Sequence, residues 1–199
     1  YYNWVSGVIN IMRENNISEL QISDYDVKTK LKNKYKSDLL KRIQSYGEGK
    51  KLRTYALFKQ VIKYEQYLNQ VKNRKYRIIL SKFRLSAHDL EIERGRYDKK
   101  STKPEQRYCK LCQTSNNLIM EDEYHFLMIC PSYIIKRNIM LDIIHHLFPN
   151  IKYLNQKDQF IWLMSQENET CTNELAKFIC QSMDQRAKDL DKLLTSGYV

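Results

Sequence analysis

Residues that interrupt helices are scarce in this chain, which has only 5 glycines and 3 prolines among its 199 residues. Apolar side chains recur at helical spacing through the long stretches between these breakers. The pattern predicts a mainly α fold, a bundle-like helical domain with at most a short β-hairpin.

Long apolar runs are also missing. No stretch approaches the length of a membrane span, and the first residues do not have the pattern of a signal peptide, so we expect no membrane association. The five cysteines are an odd number, which fits poorly with the paired disulfides of a secreted domain. We therefore expect an intracellular protein, in the nucleus, the cytoplasm or both. Because the sequence opens at Tyr1 without a methionine, we interpret it as a piece of a longer chain.

Acidic residues are sparse in one long segment. Residues 28–100 contain 22 Lys or Arg against 7 Asp or Glu, a difference of 22 − 7 = +15, and the whole chain has a net charge of +11. Such a concentrated basic block is typical of a surface for nucleic acid, where each neutralised phosphate releases counterions. The alternative is a solvated face that only keeps the protein soluble.

Four metal-binding side chains follow the basic block in the spacing C-x2-C-x12-H-x4-C. They are Cys109, Cys112, His125 and Cys130. Three thiolates and one imidazole are a ligand set that tetrahedral zinc prefers, and four protein ligands leave no open position for catalysis. The motif predicts one structural Zn²⁺ in a small CCHC knuckle inserted in the helical fold. A reducible Cys109–Cys112 pair and unconnected buried thiols are the alternatives.

Helical periodicity divides the rest of the chain. It predicts one helix through residues 52–68, an acidic cap of Glu121, Asp122 and Glu123 before the His125 helix, and a last helix capped by Thr170 or Thr172. We expect three parts: a basic helical domain (1–100), the CCHC zinc module (101–137) and a C-terminal helical segment that packs on the rest (138–199).

Basic side chains that share helix faces are the predicted nucleic-acid contacts. Phosphate contacts are predicted for Lys30, Lys34, Lys59, Lys63, Arg74, Arg77 and Arg84, and base or sugar contacts for Arg96 and Tyr97. Arg74, Arg77 and Arg84 are the sharpest feature, because guanidinium forks bind phosphate oxygens in pairs. We expect these three arginines to face solvent. His88 could contact a phosphate or be a satisfied structural group.

Several stretches resemble the region after the polymerase in invertebrate LINE-type (non-LTR) retrotransposon proteins. These are Lys51–Lys59, Tyr76–His88 and Glu91–Tyr97, and Arg107–Pro131 is similar to the carboxy-terminal cysteine–histidine motif of that family. The resemblance covers roughly residues 50–137. It implies a role in engaging the element's RNA or the target DNA, accessory to reverse transcription and integration.

Catalysis is not expected in this chain. The family's polymerase uses paired aspartates to hold two metal ions, and no Asp-Asp pair occurs in the sequence. Asp142, Asp158 and Lys177 are scattered over predicted helices and make a weak nuclease motif. The favoured hypothesis is a zinc-stabilised module that binds RNA or DNA. The alternative is a zinc-ordered helical domain that binds proteins, such as other domains of its parent polypeptide.

Overall fold

A computed structural model describes residues 4–16, 24–45, 51–98, 102–112 and 118–196, and these ranges are mainly helical. The α-helices in them are α1 (Trp4–Glu14), α2 (Asp24–Gln44), α3 (Arg53–Phe58), α4 (Tyr67–Gln70), α5 (Arg74–Arg84), α6 (Glu91–Arg94), α7 (Ile134–Leu147), α8 (Gln156–Ser165) and α9 (Glu169–Thr195). Short 3₁₀ turns cover Pro104–Gln106, Pro131–Tyr133 and Pro149–Tyr153, and a π-helical turn covers His125–Ile129. The predicted mainly α fold is confirmed.

The predicted continuous helix through residues 52–68 is wrong. The chain leaves the helix at Lys59, which has an extended backbone with φ −88° and ψ 100°, and becomes helical again only in α4. Tertiary contacts explain the break, because Tyr55 and Lys59 both donate hydrogen bonds to the Glu65 carboxylate across the interruption. Local apolar periodicity does not contain that information.

Asparagine side chains cap the helices that frame the core. Asn73 accepts from the backbone N–H groups of Lys75 and Tyr76 at 2.9 and 3.2 Å at the start of α5. Asn168 accepts from Cys171 N–H at 3.1 Å and so begins α9. The predicted threonine cap of the last helix is therefore wrong, since an asparagine carbonyl performs this role two residues earlier than Thr170.

The buried core draws on all three parts of the sequence. Phe126, from the cysteine–histidine motif, lies at its centre, with ring centroids 5.5 Å from Phe83 of α5, 4.8 Å from Tyr133 and 5.9 Å from Phe178 of α9. Helices α5 and α9 also pack directly against each other. The motif is thus held between α5 and α9. Among the described residues, no helix combines the length and apolar character that crossing a membrane requires.

Candidate metal centre and basic surface

The four predicted metal ligands converge in the structure. Their donor atoms, Sγ of Cys109, Cys112 and Cys130 and a ring nitrogen of His125, all lie within 4.8 Å of one another. Cys109 Sγ is 3.9 Å from Cys130 Sγ, and Cys112 Sγ is 3.3 Å from His125 Nε2. A tetrahedral ion with metal–sulfur bonds of about 2.3 Å and a metal–nitrogen bond of about 2.0 Å would separate its ligands by roughly 3.5–3.8 Å. The cluster therefore has the dimensions to hold a metal ion.

Two local backbone features present these ligands. An isolated antiparallel bridge joins Tyr108 to Met120, and Cys109 N–H donates to the Ile119 carbonyl at 2.9 Å. At the other side, the π-helical turn closes with Cys130 N–H donating to the His125 carbonyl at 2.7 Å. In an α-helix, residues five apart point roughly 140° away from each other. The wider π turn is what allows His125 and Cys130 to reach the same point.

Arg137 of α7 satisfies the carbonyl groups that the π turn leaves free. Its buried guanidinium donates to the carbonyls of Leu127 at 2.7 Å and Cys130 at 2.6 Å, with a longer contact of 3.4 Å to Phe126. Buried carbonyls without partners are costly, so this arginine stabilises the backbone that carries two of the ligands. The sequence analysis did not identify Arg137, because nothing in its neighbourhood indicates a long-range contact.

A buried ion-pair cluster links the centre to the C-terminal helix. Glu121 Oε1 lies 3.6 Å from Cys109 Sγ. Arg186 of α9 donates to both oxygens of that carboxylate, from Nε at 2.8 Å and from Nη2 at 2.6 Å, and Nη2 is also 3.0 Å from Glu91 Oε1. Lys110, between the first two cysteines, extends to Glu91 Oε2 at 3.3 Å. The metal centre and α9 therefore share a set of hydrogen bonds.

A second buried cluster links the centre to the basic part of the chain. Glu123 accepts from Ser86 Oγ at 3.0 Å, lies 2.8 Å from His88 Nε2, and is paired with Arg53 of α3. Burial alone raises the pKa of Glu123, but the hydrogen bond and charge of His88 and the charge of Arg53 outweigh it and lower the pKa from 4.5 to about 2. Of the two roles predicted for His88, the structure therefore supports the satisfied structural group.

The predicted acidic cap is only partly correct. Asp122 does accept from the His125 backbone N–H at 2.7 Å, as an N-terminal cap should. Glu121 and Glu123 instead point into the protein and are almost completely buried, each opposite an arginine. Buried carboxylates need such partners, and the partners come from distant parts of the chain. A sequence pattern of three consecutive acids does not distinguish these two environments.

A cation at this point would neutralise the charge of the thiolate forms. Burial raises the pKa of Cys112, whereas a hydrogen bond from Cys109 lowers the pKa of Cys130 to about 4. Three thiolates beside the Glu121 carboxylate repel one another unless protons or a cation neutralise them. A divalent ion that replaces the thiol protons removes this repulsion. The donor set, its spacing and its charge thus agree in fitting a metal ion.

The predicted nucleic-acid residues on α2 are exposed. Lys30 and Lys34 lie at the surface together with Lys32 and Lys41, and none of these four makes an ion pair with another described residue. Lys30, Lys34 and Lys41 share one side of the helix, since their spacing of 4 and 7 residues corresponds to roughly one and two turns. This set of three is named the α2 lysine face.

Two of the predicted phosphate contacts, Lys59 and Arg84, are buried, and the prediction that Arg84 faces solvent is therefore wrong. Lys59 is 7% exposed and is paired with Glu65. Arg84 is 3% exposed, and its guanidinium carbon lies 4.5 Å from the centre of the Tyr67 ring. Arg77 is half-buried and donates to the Val71 carbonyl at 2.7 Å. The three arginines of α5 therefore do not form one exposed stripe.

Helical geometry explains the error on α5. Arg84 lies roughly 40° around the helix from the buried Leu80, whereas Lys82 lies roughly 160° from it. The exposed side consequently carries Arg74 and Lys82 with Ile78 between them. These residues border a groove of about 380 Å³ between α5 and α9. Lys82 is a basic surface residue that the sequence analysis missed, although its position opposite Leu80 is visible in the spacing.

The remaining predicted contacts are near α6 and the connection before α4. Arg96 Nε lies 2.7 Å from Glu93, which Arg53 also contacts, so its charge is largely neutralised within the fold. Tyr97 is 73% exposed, with Lys51 Nζ 5.7 Å from its ring centre. Lys63 is paired with Glu167 at 2.5 Å at the surface. The Tyr97 ring is therefore open to solvent, whereas Arg96 and Lys63 are paired with carboxylates.

Comparison with known proteins gives no further guide to identity. A scan of protein-family models, a search of curated proteins and a search of solved structures each find no match for this chain.

Proposed function

We propose that this protein is a zinc-stabilised nucleic-acid-binding module of a retrotransposon-derived protein, accessory to reverse transcription and integration and without catalysis of its own. The observation that carries the proposal is the exposed basic surface of α2 and α5, the α2 lysine face together with Arg74 and Lys82, which makes no ion pair within the part of the chain that the structure describes. Several other cations of the basic segment, among them Arg53, Lys59 and Arg96, are paired with carboxylates within the fold. Exposed and unpaired cations are the ones that phosphates can contact.

The soft donor set of the metal centre favours zinc, held by Cys109, Cys112, His125 and Cys130. When bound, the ion supplies a structural crosslink between the bridge at Tyr108 and the π-helical turn. The chain's own residues extend that order outward. Glu123 holds His88 after α5, and Glu121 holds Arg186 of α9. These contacts fix α5 against α9 and so keep Arg74 and Lys82 on a rigid support.

The salt dependence of binding tests this proposal. A variant with Lys30, Lys34 and Lys41 replaced by Gln loses three exposed charges. It should flatten the slope of log affinity against log salt by about 3 for duplex DNA, at about 0.9 per contact, and by about 2 for single strands, at about 0.7 per contact. The matched control replaces the exposed Lys152, Lys157 and Lys188, which lie in residues 101–199, where 11 Lys or Arg stand against 12 Asp or Glu. Fluorescence anisotropy with labelled RNA and DNA measures both. Equal losses in the two folded variants would show that attraction is diffuse and that this face is not the site.

Replacing Arg74, Arg77 and Arg84 together would be an unsuitable test, because Arg84 is buried and its replacement would disturb the core. Within α5, Arg74→Gln with Lys82→Gln removes two exposed charges without touching buried groups. We expect this pair to lower the salt slope by about 1–2 by the same relation.

A protein-interaction domain is a second candidate, and α7 provides the observation that favours it. Ile135 and Ile139 are 74% and 55% exposed and lie one turn apart on the helix. Large apolar side chains grouped at a surface often mark a protein contact. If the purified, metal-loaded protein bound neither RNA nor DNA at low salt, this candidate would replace the first.

A further inference from the structure

A cleft of about 340 Å³ lies between the connection from α3 to α4 and the end of α8. Three cations that the sequence analysis placed on two predicted helices line it together, Lys59, Lys63 and Arg84. Glu65 and Glu167 are its acidic residues, and Phe58 and Val61 contribute apolar wall. The cleft is on a different part of the surface from the α5–α9 groove.

Arg84, which lines this cleft, is a buried cation with incomplete hydrogen bonding. Its Nη1 is 3.4 Å from Glu65 Oε2 and its Nη2 is 3.3 Å from the Gln166 carbonyl. Its Nε is buried and has no hydrogen-bond partner among the described residues. Charge-assisted hydrogen bonds usually measure about 2.7–2.9 Å. The guanidinium thus makes two long contacts and leaves the N–H of its buried Nε without an acceptor among the described residues.

The carboxylates in the cleft do not balance its cations. Glu65 is shared, since it accepts from Tyr55 Oη at 3.0 Å and from Lys59 as well as contacting Arg84. Lys63 and Glu167 form a pair at the mouth, with side chains 54% and 47% exposed. The three cations and two carboxylates sum to +3 − 2 = +1. A buried net charge is unfavourable unless a counter-charge with suitable acceptors joins it.

We propose that this cleft binds the terminal phosphate monoester of a nucleic-acid strand, an inference that rests on the proposed function. Arg84 and Lys59 contact the phosphate from within the cleft, and Lys63 closes over it at the mouth. Glu167 turns to solvent in exchange, which leaves Lys59, Lys63, Arg84 and Glu65 with a charge of +3 − 1 = +2. A phosphate monoester carries about −1.5 to −2 at pH 7, whereas an internal phosphodiester carries only about −1. The charge match selects a strand end, and Phe58 and Val61 offer apolar surface to its sugar or base.

Two oligonucleotides of one sequence, with and without a 5′-phosphate, test the proposal by fluorescence anisotropy at fixed salt. Metal-loaded protein should bind the phosphorylated strand roughly tenfold more tightly, since one added charge-assisted contact is worth about 1.4 kcal/mol or more. Inorganic phosphate should compete only with the phosphorylated strand. A 3′-phosphorylated strand in a parallel titration determines which end is preferred.

Variants at the exposed mouth avoid disturbing the core. Lys63→Gln should reduce the preference for the phosphorylated strand, and Glu167→Gln should increase it by removing the carboxylate that competes for Lys63. Lys157→Gln and Glu105→Gln, both at exposed positions outside the cleft, are the matched controls and should leave the preference unchanged.

Two results would overturn the assignment. One is equal affinity for strands with and without a terminal phosphate at either end. The other is a Lys63→Gln variant that weakens every strand equally, because it would mean that an internal phosphate occupies the cleft. If either occurred while the variant lacking the α2 lysine face still lost affinity, the proposed function would stand and only the terminal-phosphate site would fail.

Discussion

Replacing Arg186 by methionine should destabilise the protein strongly. The substitution keeps a long side chain on α9 but removes two hydrogen bonds to Glu121 and one to Glu91, all among buried groups. Removing one partner of a buried ion pair leaves an uncompensated charge and typically costs about 3–5 kcal/mol. Since 1 kcal/mol shifts the Tm of a domain of this size by about 2–4 °C, the Tm should fall by about 6–20 °C.

Urea unfolding followed by circular dichroism, with zinc in excess and thiols reduced, measures the loss in free energy. Lys192→Met is the matched control on the same helix, because among the described residues the exposed Lys192 is paired only with Asp189, at 3.5 Å. This control should change the free energy of unfolding by less than about 1 kcal/mol. A loss below 1 kcal/mol for Arg186→Met as well would refute the claim that its ion pairs are buried and structurally necessary.

Metal affinity provides a second and independent measurement on the same variant. Without Arg186, the Glu121 carboxylate near Cys109 Sγ faces the thiolate without its counter-ion. Loss of an outer-shell partner typically weakens metal binding about 10–100-fold, and competition with a chromophoric chelator measures this. Adding Glu121→Gln to the variant should recover part of the loss. Unchanged metal affinity in Arg186→Met would contradict a link between α9 and the metal centre.

Two other predictions concern the metal centre and pH. The purified, reduced protein should contain one tightly bound zinc. Cys112→Ser should abolish tight binding and lower stability by several kcal/mol, because the free energy of metal binding contributes directly to folding. Metal analysis below half an equivalent, or identical melting of the wild type with and without chelator, would contradict a structural site. The pKa of Glu123 is lowered from 4.5 to about 2 in the folded protein. The ionised carboxylate therefore stabilises the fold above pH 4.5, and this stabilisation is lost as the pH falls towards 2. At 1.36 kcal/mol per pKa unit it amounts to about 3 kcal/mol. Glu123→Gln should therefore be less stable than the wild type by about that amount at pH 7, with a difference that shrinks below pH 4.5. Denaturant unfolding of both proteins at each pH measures this difference, and the loss of metal at low pH, which affects both proteins, cancels. A difference that does not change with pH would exclude the Glu123 carboxylate as the source of the stabilisation.

The metal ligand set could be predicted from sequence because coordination chemistry restricts which residues appear and at what spacing. Two cysteines on one turn, followed by a histidine and a cysteine close together, need few long-range facts to be recognised. The π-helical turn that aligns His125 with Cys130 was not predicted. Its hydrogen bonds are completed by Arg137 of α7, a partner that no local pattern indicates.

The sequence by itself determined that the fold is mainly helical, where a metal ion can bind and where the positive charge is concentrated, because these follow from periodicity, residue chemistry and composition. Only the tertiary structure decided which charges remain at the surface. Arg84 and Lys59 are buried beside Glu65, Glu121 and Glu123 are buried opposite arginines, and Lys30 and Arg74 stay exposed. The physical reason is that the state of a charged side chain depends on groups brought close by folding, often from more than 60 residues away, as for Glu121 and Arg186. A count of charges along the chain does not show which of them folding brings into contact.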